Sequence, residues 1–131
     1  MNKKIYILED DANMLSGLQA KLSLVNFSCK TSSGNVRIEE IIKDIRMYNP
    51  DYLIIDLVLP KIDGFNIVKL IKEDEILKHK ILFVFTSLSD NDSREKSERL
   101  GVDHFFVKGE LGIDEFIEKF INIIKNKEKN K

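Results

Sequence analysis

The stretch Tyr52-Leu53-Ile54-Ile55-Asp56-Leu57-Val58-Leu59-Pro60-Lys61-Ile62-Asp63-Gly64 runs from four apolar residues straight into a carboxylate. An apolar run that short, without alternation, matches a strand covered on both faces. Packing has no use for a charge at its end, so Asp56 points to chemistry. Pro60 and the Asp63-Gly64 pair then read as loop and turn. Beyond them Ile67, Leu70 and Ile71 recur at helical spacing. A strand, an acid-bearing loop and a helix follow one another, which is one βα unit.

The same unit repeats along the chain. Apolar runs lie at residues 5–8, 27–31, 81–85 and 105–107 as well as 52–55. Between them Leu15, Leu18, Leu22 and Val25 keep helical spacing, as do Ile38, Ile41, Ile42 and Ile45. Phe116, Ile117, Phe120, Ile121 and Ile124 form the strongest stripe. The alternation predicts an α/β fold, a parallel sheet with helices on both faces. Residues 90–100 are the exception. They are mostly polar, with Ser93, Ser97 and Leu100 as the inward face, and Ser89 with Asp92 reads as a capping box. So polar a helix is expected to be the least anchored element.

Composition narrows the function classes. A chain of 131 residues suits one domain. With 43% hydrophobic and 33% charged residues, a soluble globular domain is expected. Its 21 basic and 22 acidic side chains give a net charge of −1, no footprint for nucleic acid. No apolar run reaches membrane-spanning length, and the short run after Met1-Asn2-Lys3-Lys4 is expected to be a strand and not a signal peptide. Cys29 is the single cysteine, so a reduced, cytoplasmic setting is expected and the residue reads as packing. His79 and His104 lack partners at ligand spacing.

The strand ends carry the chemistry. Glu9, Asp10 and Asp11 follow the first strand, Asp56 the third, Thr86 and Ser87 close the fourth, and Lys108 follows the fifth. Ligands of open α/β sheets bind outside the carboxyl ends of the strands. Two carboxylates about 4 Å apart repel by about 4 kcal/mol at an effective dielectric of 20. A hard divalent cation such as Mg²⁺ removes that penalty and keeps positions open for phosphoryl oxygens. An ammonium and a hydroxyl complete a set suited to phosphoryl transfer, with an aspartate able to act as nucleophile. Asp11 reads better as a helix N-cap, and Asp63 as turn chemistry.

Four motifs in order, Leu8-Glu9-Asp10-Asp11, Asp56-x₃-Pro60-x₂-Asp63-Gly64, Phe85-Thr86-Ser87 and Gly101-Val102-Asp103-His104-Phe105-Phe106-Val107-Lys108, resemble a two-component response-regulator receiver domain of the CheY-like type. The resemblance runs from about residue 3 to residue 124. It implies a (βα)₅ doubly wound, flavodoxin-like sheet of five parallel strands in the order 2-1-3-4-5. It implies Asp56 as phospho-acceptor, with Thr86 and Lys108 beside it. Mg²⁺ would be held by Asp10, Asp56 and the Val58 backbone carbonyl, with Glu9 acting through water. Thr86 and Phe105 would form the switch that repositions the fourth helix, fifth strand and fifth helix. The implied partners are a sensor histidine kinase or phosphotransfer protein as phosphohistidine donor, and a downstream effector domain or protein. A homodimer through the same face is within the family's range. The domain itself would bind neither nucleic acid nor membrane. Residues 1–125 read as the receiver and 126–131 as a Lys/Asn-rich tail that frays or begins a linker. Met1 just before the first strand sets the expectation that nothing substantial precedes the domain. Both a stand-alone receiver and a regulator with a C-terminal effector remain open.

Two residues depart from the pattern. Gly109 stands where proline usually follows the lysine. A cis bond before a non-proline residue costs about 2.5–4 kcal/mol, so a trans bond is expected. Phe105 stands where tyrosine is common, so a switch there works by packing alone. Val58 and Leu88, two residues beyond Asp56 and Thr86, are apolar, which predicts slow loss of the phosphoryl group. The rival reading is a Mg²⁺-dependent phosphatase with an aspartyl nucleophile. It needs a second acid two residues after the nucleophile, where this chain has Val58. A third reading is a receiver that binds partners without being phosphorylated.

Overall fold

The computed structural model describes residues 2–129. In chain order the elements are β1 (Lys3–Leu8), α1 (Ala12–Leu24), β2 (Phe27–Ser32), α2 (Ile38–Tyr48), β3 (Tyr52–Ile55), α3 (Gly64–Glu73), a short 3₁₀ turn (Leu77–His79), β4 (Ile81–Thr86), α4 (Asn91–Leu100), β5 (His104–Val107) and α5 (Ile113–Lys129). The strands form one parallel sheet in the order β2-β1-β3-β4-β5, the flavodoxin-like, CheY-like arrangement expected.

Alternation along the central strands builds two cores. Tyr6, Leu8, Leu53, Ile55, Leu82 and Val84 face α2 and α3, where Ile41, Ile45, Ile67 and Ile71 close over them. Ile5, Ile7, Tyr52, Ile54, Phe83 and Phe85 face α1 and α5. On that side Phe116 stacks on Phe85 at 4.1 Å and Phe120 lies 4.5 Å from Phe83. Both alternating sets are buried, so the strands read as unbroken apolar runs. The edge strand β2 is only half-buried and mixed in character. Cys29 lies on it, half-buried, and burial pushes its thiol up to about 11, which suits a packed, unreactive side chain.

The helix ends explain where the loops turn. Asp11 caps α1 by accepting from the Met14 N–H at 2.9 Å, and Asp63 caps α3 through the Phe65 N–H at 2.9 Å. The cap of α4 is Asp90, not the expected pair of Ser89 and Asp92. Asp90 Oδ2 accepts from both the N–H and the hydroxyl of Ser93, each at 3.0 Å. One carboxylate oxygen satisfies two donors there, which a serine at 89 does not match. Gly101 ends α4 in the left-handed region at φ 98°. α5 continues through residues 125–129, where the composition predicted fraying; the rest of that tail lies outside the described residues.

α4 buries one side chain, Ser97, and the hydroxyl of that serine has no hydrogen-bond partner among the described residues. A buried polar group left unpaired costs about 1–3 kcal/mol. Ser97→Ala therefore raises stability by about 1 kcal/mol, helped by alanine's better helix propensity. Urea unfolding checks this: a higher midpoint at unchanged slope is the expected result.

Candidate functional site

Register brings the predicted residues together. Leu8 pairs with Ile55, and Ile55 with Val84, so the first positions beyond β1 and β3 share one edge of the sheet. The Asp56 N–H donates to the Leu8 carbonyl at 2.9 Å, and the Lys108 N–H donates to the Thr86 carbonyl at 2.7 Å. These two backbone bonds carry the sheet ladder one residue past the strands. They hold Glu9, Asp56, Thr86 and Lys108 in a common frame.

Lys108 occupies the centre. Its Nζ lies 2.6 Å from Glu9 Oε1 and 2.8 Å from Asp56 Oδ2. Glu9 and Asp56 are almost fully buried, and the lysine side chain is 18% exposed. The remaining carboxylate oxygens are bonded too. Glu9 Oε2 accepts from the Asp11 N–H at 3.0 Å, and Asp56 Oδ1 from the Val58 N–H at 3.0 Å. Burial pushes the Glu9 carboxyl above its ordinary range, more than the Lys108 and Asp11 donors pull it down, and the Asp56 charge adds to the rise. For Lys108, burial pulls the ammonium down, but hydrogen bonds to Asp56 and Glu9 outweigh it and the net shift is upward.

The three-acid cluster expected from the strand ends is met by two acids. Asp10 is exposed at the rim, and among the described residues no three acidic, histidine or cysteine side chains stand close enough to hold a metal. The physical reason is charge. Lys108 already neutralises one of the two buried carboxylates, and a third acid with only that ammonium for company is better left in water. The donor set still suits a hard divalent cation. It is all oxygen, and Glu9, Asp56 and Lys108 together carry one net negative charge with Asp10 one residue away.

Thr86 is fully buried at the end of β4, its Oγ1 accepting from the Leu88 N–H at 3.4 Å. Val58, two residues beyond Asp56, is about half exposed, and Leu88, two residues beyond Thr86, is half-buried. An antiparallel bridge from Val58 to Asp63 closes the loop after Asp56. The Lys108–Gly109 peptide is trans, as expected without a proline. Phe105 projects half-buried toward the α2 and α3 side. Sequence reading missed two features here. One is the Asp11 backbone N–H on Glu9, since main-chain donors leave no mark in a sequence. The other is Arg94, whose guanidinium lies over the Phe105 ring, 4.8 Å from its centroid. A cation on a polar helix followed by an aromatic strand was the available signal.

The arrangement offers a buried carboxylate nucleophile, an ammonium that can turn toward an incoming anion, and a hydroxyl on the neighbouring strand. Known proteins share this fold and sequence pattern. The model of the response regulator receiver domain matches residues 5–121. The alkaline phosphatase synthesis transcriptional regulatory protein PhoP of Bacillus subtilis is 29% identical over 119 residues, covering 91% of this chain and 43% of that protein. The phosphorylated cyanobacterial phytochrome response regulator RcpA is similar at TM-score 0.78 and 25% identity, over 94% of this chain and 91% of that one. A CheY-like receiver domain protein from Methanospirillum hungatei matches at TM-score 0.84 and 17% identity over the whole of both chains. The chain spans under half the length of the curated relatives it matches.

Proposed function

Because this chain belongs to the response regulator receiver domain family of two-component systems, we propose that it accepts a phosphoryl group on Asp56 from a phosphohistidine. The observation that carries this reading is the buried Asp56 carboxylate held at 2.8 Å by Lys108. In the transfer, the phosphorus–nitrogen bond of the donor breaks as a bond forms to an Asp56 oxygen. The imidazole leaves with the electron pair and takes up a proton. Lys108 then exchanges its carboxylate partner for a phosphoryl oxygen, and the Thr86 hydroxyl donates to another. Asp10, Asp56 and the Val58 carbonyl would hold Mg²⁺, with Glu9 acting through water. When bound, Mg²⁺ supplies charge neutralisation for the carboxylates and the transferring group.

Charge gained at Asp56 shifts a pre-existing equilibrium of the α4, β5 and α5 face. The donor is a sensor histidine kinase or phosphotransfer protein in the cytoplasm, and the output is an effector domain or partner. The domain catalyses only its own phosphorylation and dephosphorylation. The phosphatase reading is disfavoured by Val58, which offers no acid or base at the position where turnover needs one. The apolar Val58 and Leu88, two residues beyond Asp56 and Thr86, also hinder an in-line water in this reading, so the phosphoryl group decays slowly.

Intact mass after incubation with Mg²⁺ and acetyl phosphate tests the reading. The expected result is a gain of one phosphoryl group that is abolished in Asp56→Asn. Phosphate release without accumulation would favour the phosphatase, and no labelling would favour a receiver that works unphosphorylated.

A further inference from the structure

Phe105 has no hydroxyl, so no hydrogen bond can choose between its positions; whatever lies on its ring must do so. The guanidinium carbon of Arg94 sits 4.8 Å from the ring centroid. Both side chains are half-buried and line a groove of about 300 Å³ between α4 and β5, together with Ser97 and His104. Apart from Leu100, which packs half-buried on the core, little apolar surface seats α4. Its one buried side chain is Ser97, with an unpartnered hydroxyl. Its other aromatic contact is again a cation, Lys96 over Phe65 at 4.4 Å. The route to the site is short. Phe105 pairs with Val84 and Val107 with Thr86, so Phe105 and Thr86 share one face of neighbouring strands.

We propose that Arg94 is a positioning residue of the receiver: its guanidinium on Phe105 holds the ring and α4 in the resting arrangement, and phosphorylation at Asp56 works against that contact. The inference rests on the phospho-acceptor reading. A cation–π contact at a half-exposed site is worth about a two- to fivefold change in an equilibrium constant. Removing it raises the fraction of molecules in the phosphorylation-competent state by that factor, and the labelling rate with it.

The chain has no tryptophan, so Phe105→Trp places a single reporter at the ring. In that background, emission is read at rest and after acetyl phosphate for Arg94, Arg94→Gln and Arg94→Lys, and labelling rates are measured in parallel with Phe105 intact. The expected result is resting emission in Arg94→Gln displaced toward the phosphorylated value, labelling about two- to fivefold faster, and partial return in Arg94→Lys. Unchanged resting emission and unchanged labelling rate in Arg94→Gln overturn the proposal, as does a shift in thermal midpoint alone. Resting emission needs no donor, so an emission unchanged between Arg94 and Arg94→Gln overturns the role of Arg94 even if the parent protein takes no label. That last outcome would overturn the acceptor reading instead.

Discussion

Gly64→Ala destabilises this protein by about 3 kcal/mol, the upper end of the cost of overpacking. A methyl group at position 64 would press on the Leu57 backbone: against its Cα, 2.7 Å from its carbonyl oxygen and 2.8 Å from its carbonyl carbon. Side-chain ends can rotate away from an intruder, but a backbone unit moves only with the loop it belongs to. Leu57 directly follows Asp56, and the Gly64 N–H donates to the Leu57 carbonyl at 3.2 Å. Relief of the clash therefore displaces the loop that carries the acceptor. Phosphoryl labelling falls together with stability, although residue 64 touches no reacting atom. Gly17→Ala is the contrasting case. Its new methyl meets only the Ile113 Cδ1 at 3.0 Å, a side-chain end that can turn, while the α1 interior gains helix propensity. Urea denaturation of the two variants, paired with intact-mass labelling, checks the difference. Equal stabilities for the two would show that the Leu57 contact is relieved at little cost.

The glycine and the acceptor belong to one stretch of sequence, and much of what matters in it is legible without coordinates. Strands covered on both faces must be apolar at each position, so the charge that ends such a run stands out. Glu9, Asp56, Thr86 and Lys108 are all visible for that reason, and the parallel topology places them on one edge. The sequence does not reveal which charges pair. Glu9 and Asp10 are adjacent acids of similar character, but a strand sends neighbouring side chains in opposite directions. Glu9 turns inward to Lys108, and Asp10 turns to solvent. Cap propensity could not separate Ser89 from Asp90, because the two types rank alike. The choice fell to Asp90, which meets two donors of Ser93 at once. The Arg94 contact with Phe105 joins a helix to a strand and has no local signature.

Lys108→Met is the sharper test of the site, because it separates a charge from its packing. Methionine keeps most of the apolar stem and removes the ammonium between Glu9 and Asp56. Two buried carboxylates are then left to face each other. Breaking a buried ion pair by deleting one partner costs about 3–5 kcal/mol, and the lower figure is expected here because Asp11 and Val58 N–H groups still serve one oxygen of each acid. The loss depends on pH in a definite direction. With the lysine gone, burial and the Asp56 charge both raise the Glu9 pKa with one fewer opposing donor. A carboxyl raised in the folded state binds its proton more tightly there than in the unfolded chain. Stability then falls as the pH climbs from the ordinary carboxylate range through the raised folded value. The deficit of Lys108→Met is thus smallest in mild acid and full at neutral pH, whereas a simple packing defect would be flat across that range. Labelling of Asp56 at neutral pH slows about a hundredfold, the usual scale for removing one electrostatic stabiliser of a transition state. Denaturation midpoints from pH 4.5 to 7.5 decide the first point, and a deficit independent of pH would mean that Lys108 contributes its stem and not its charge.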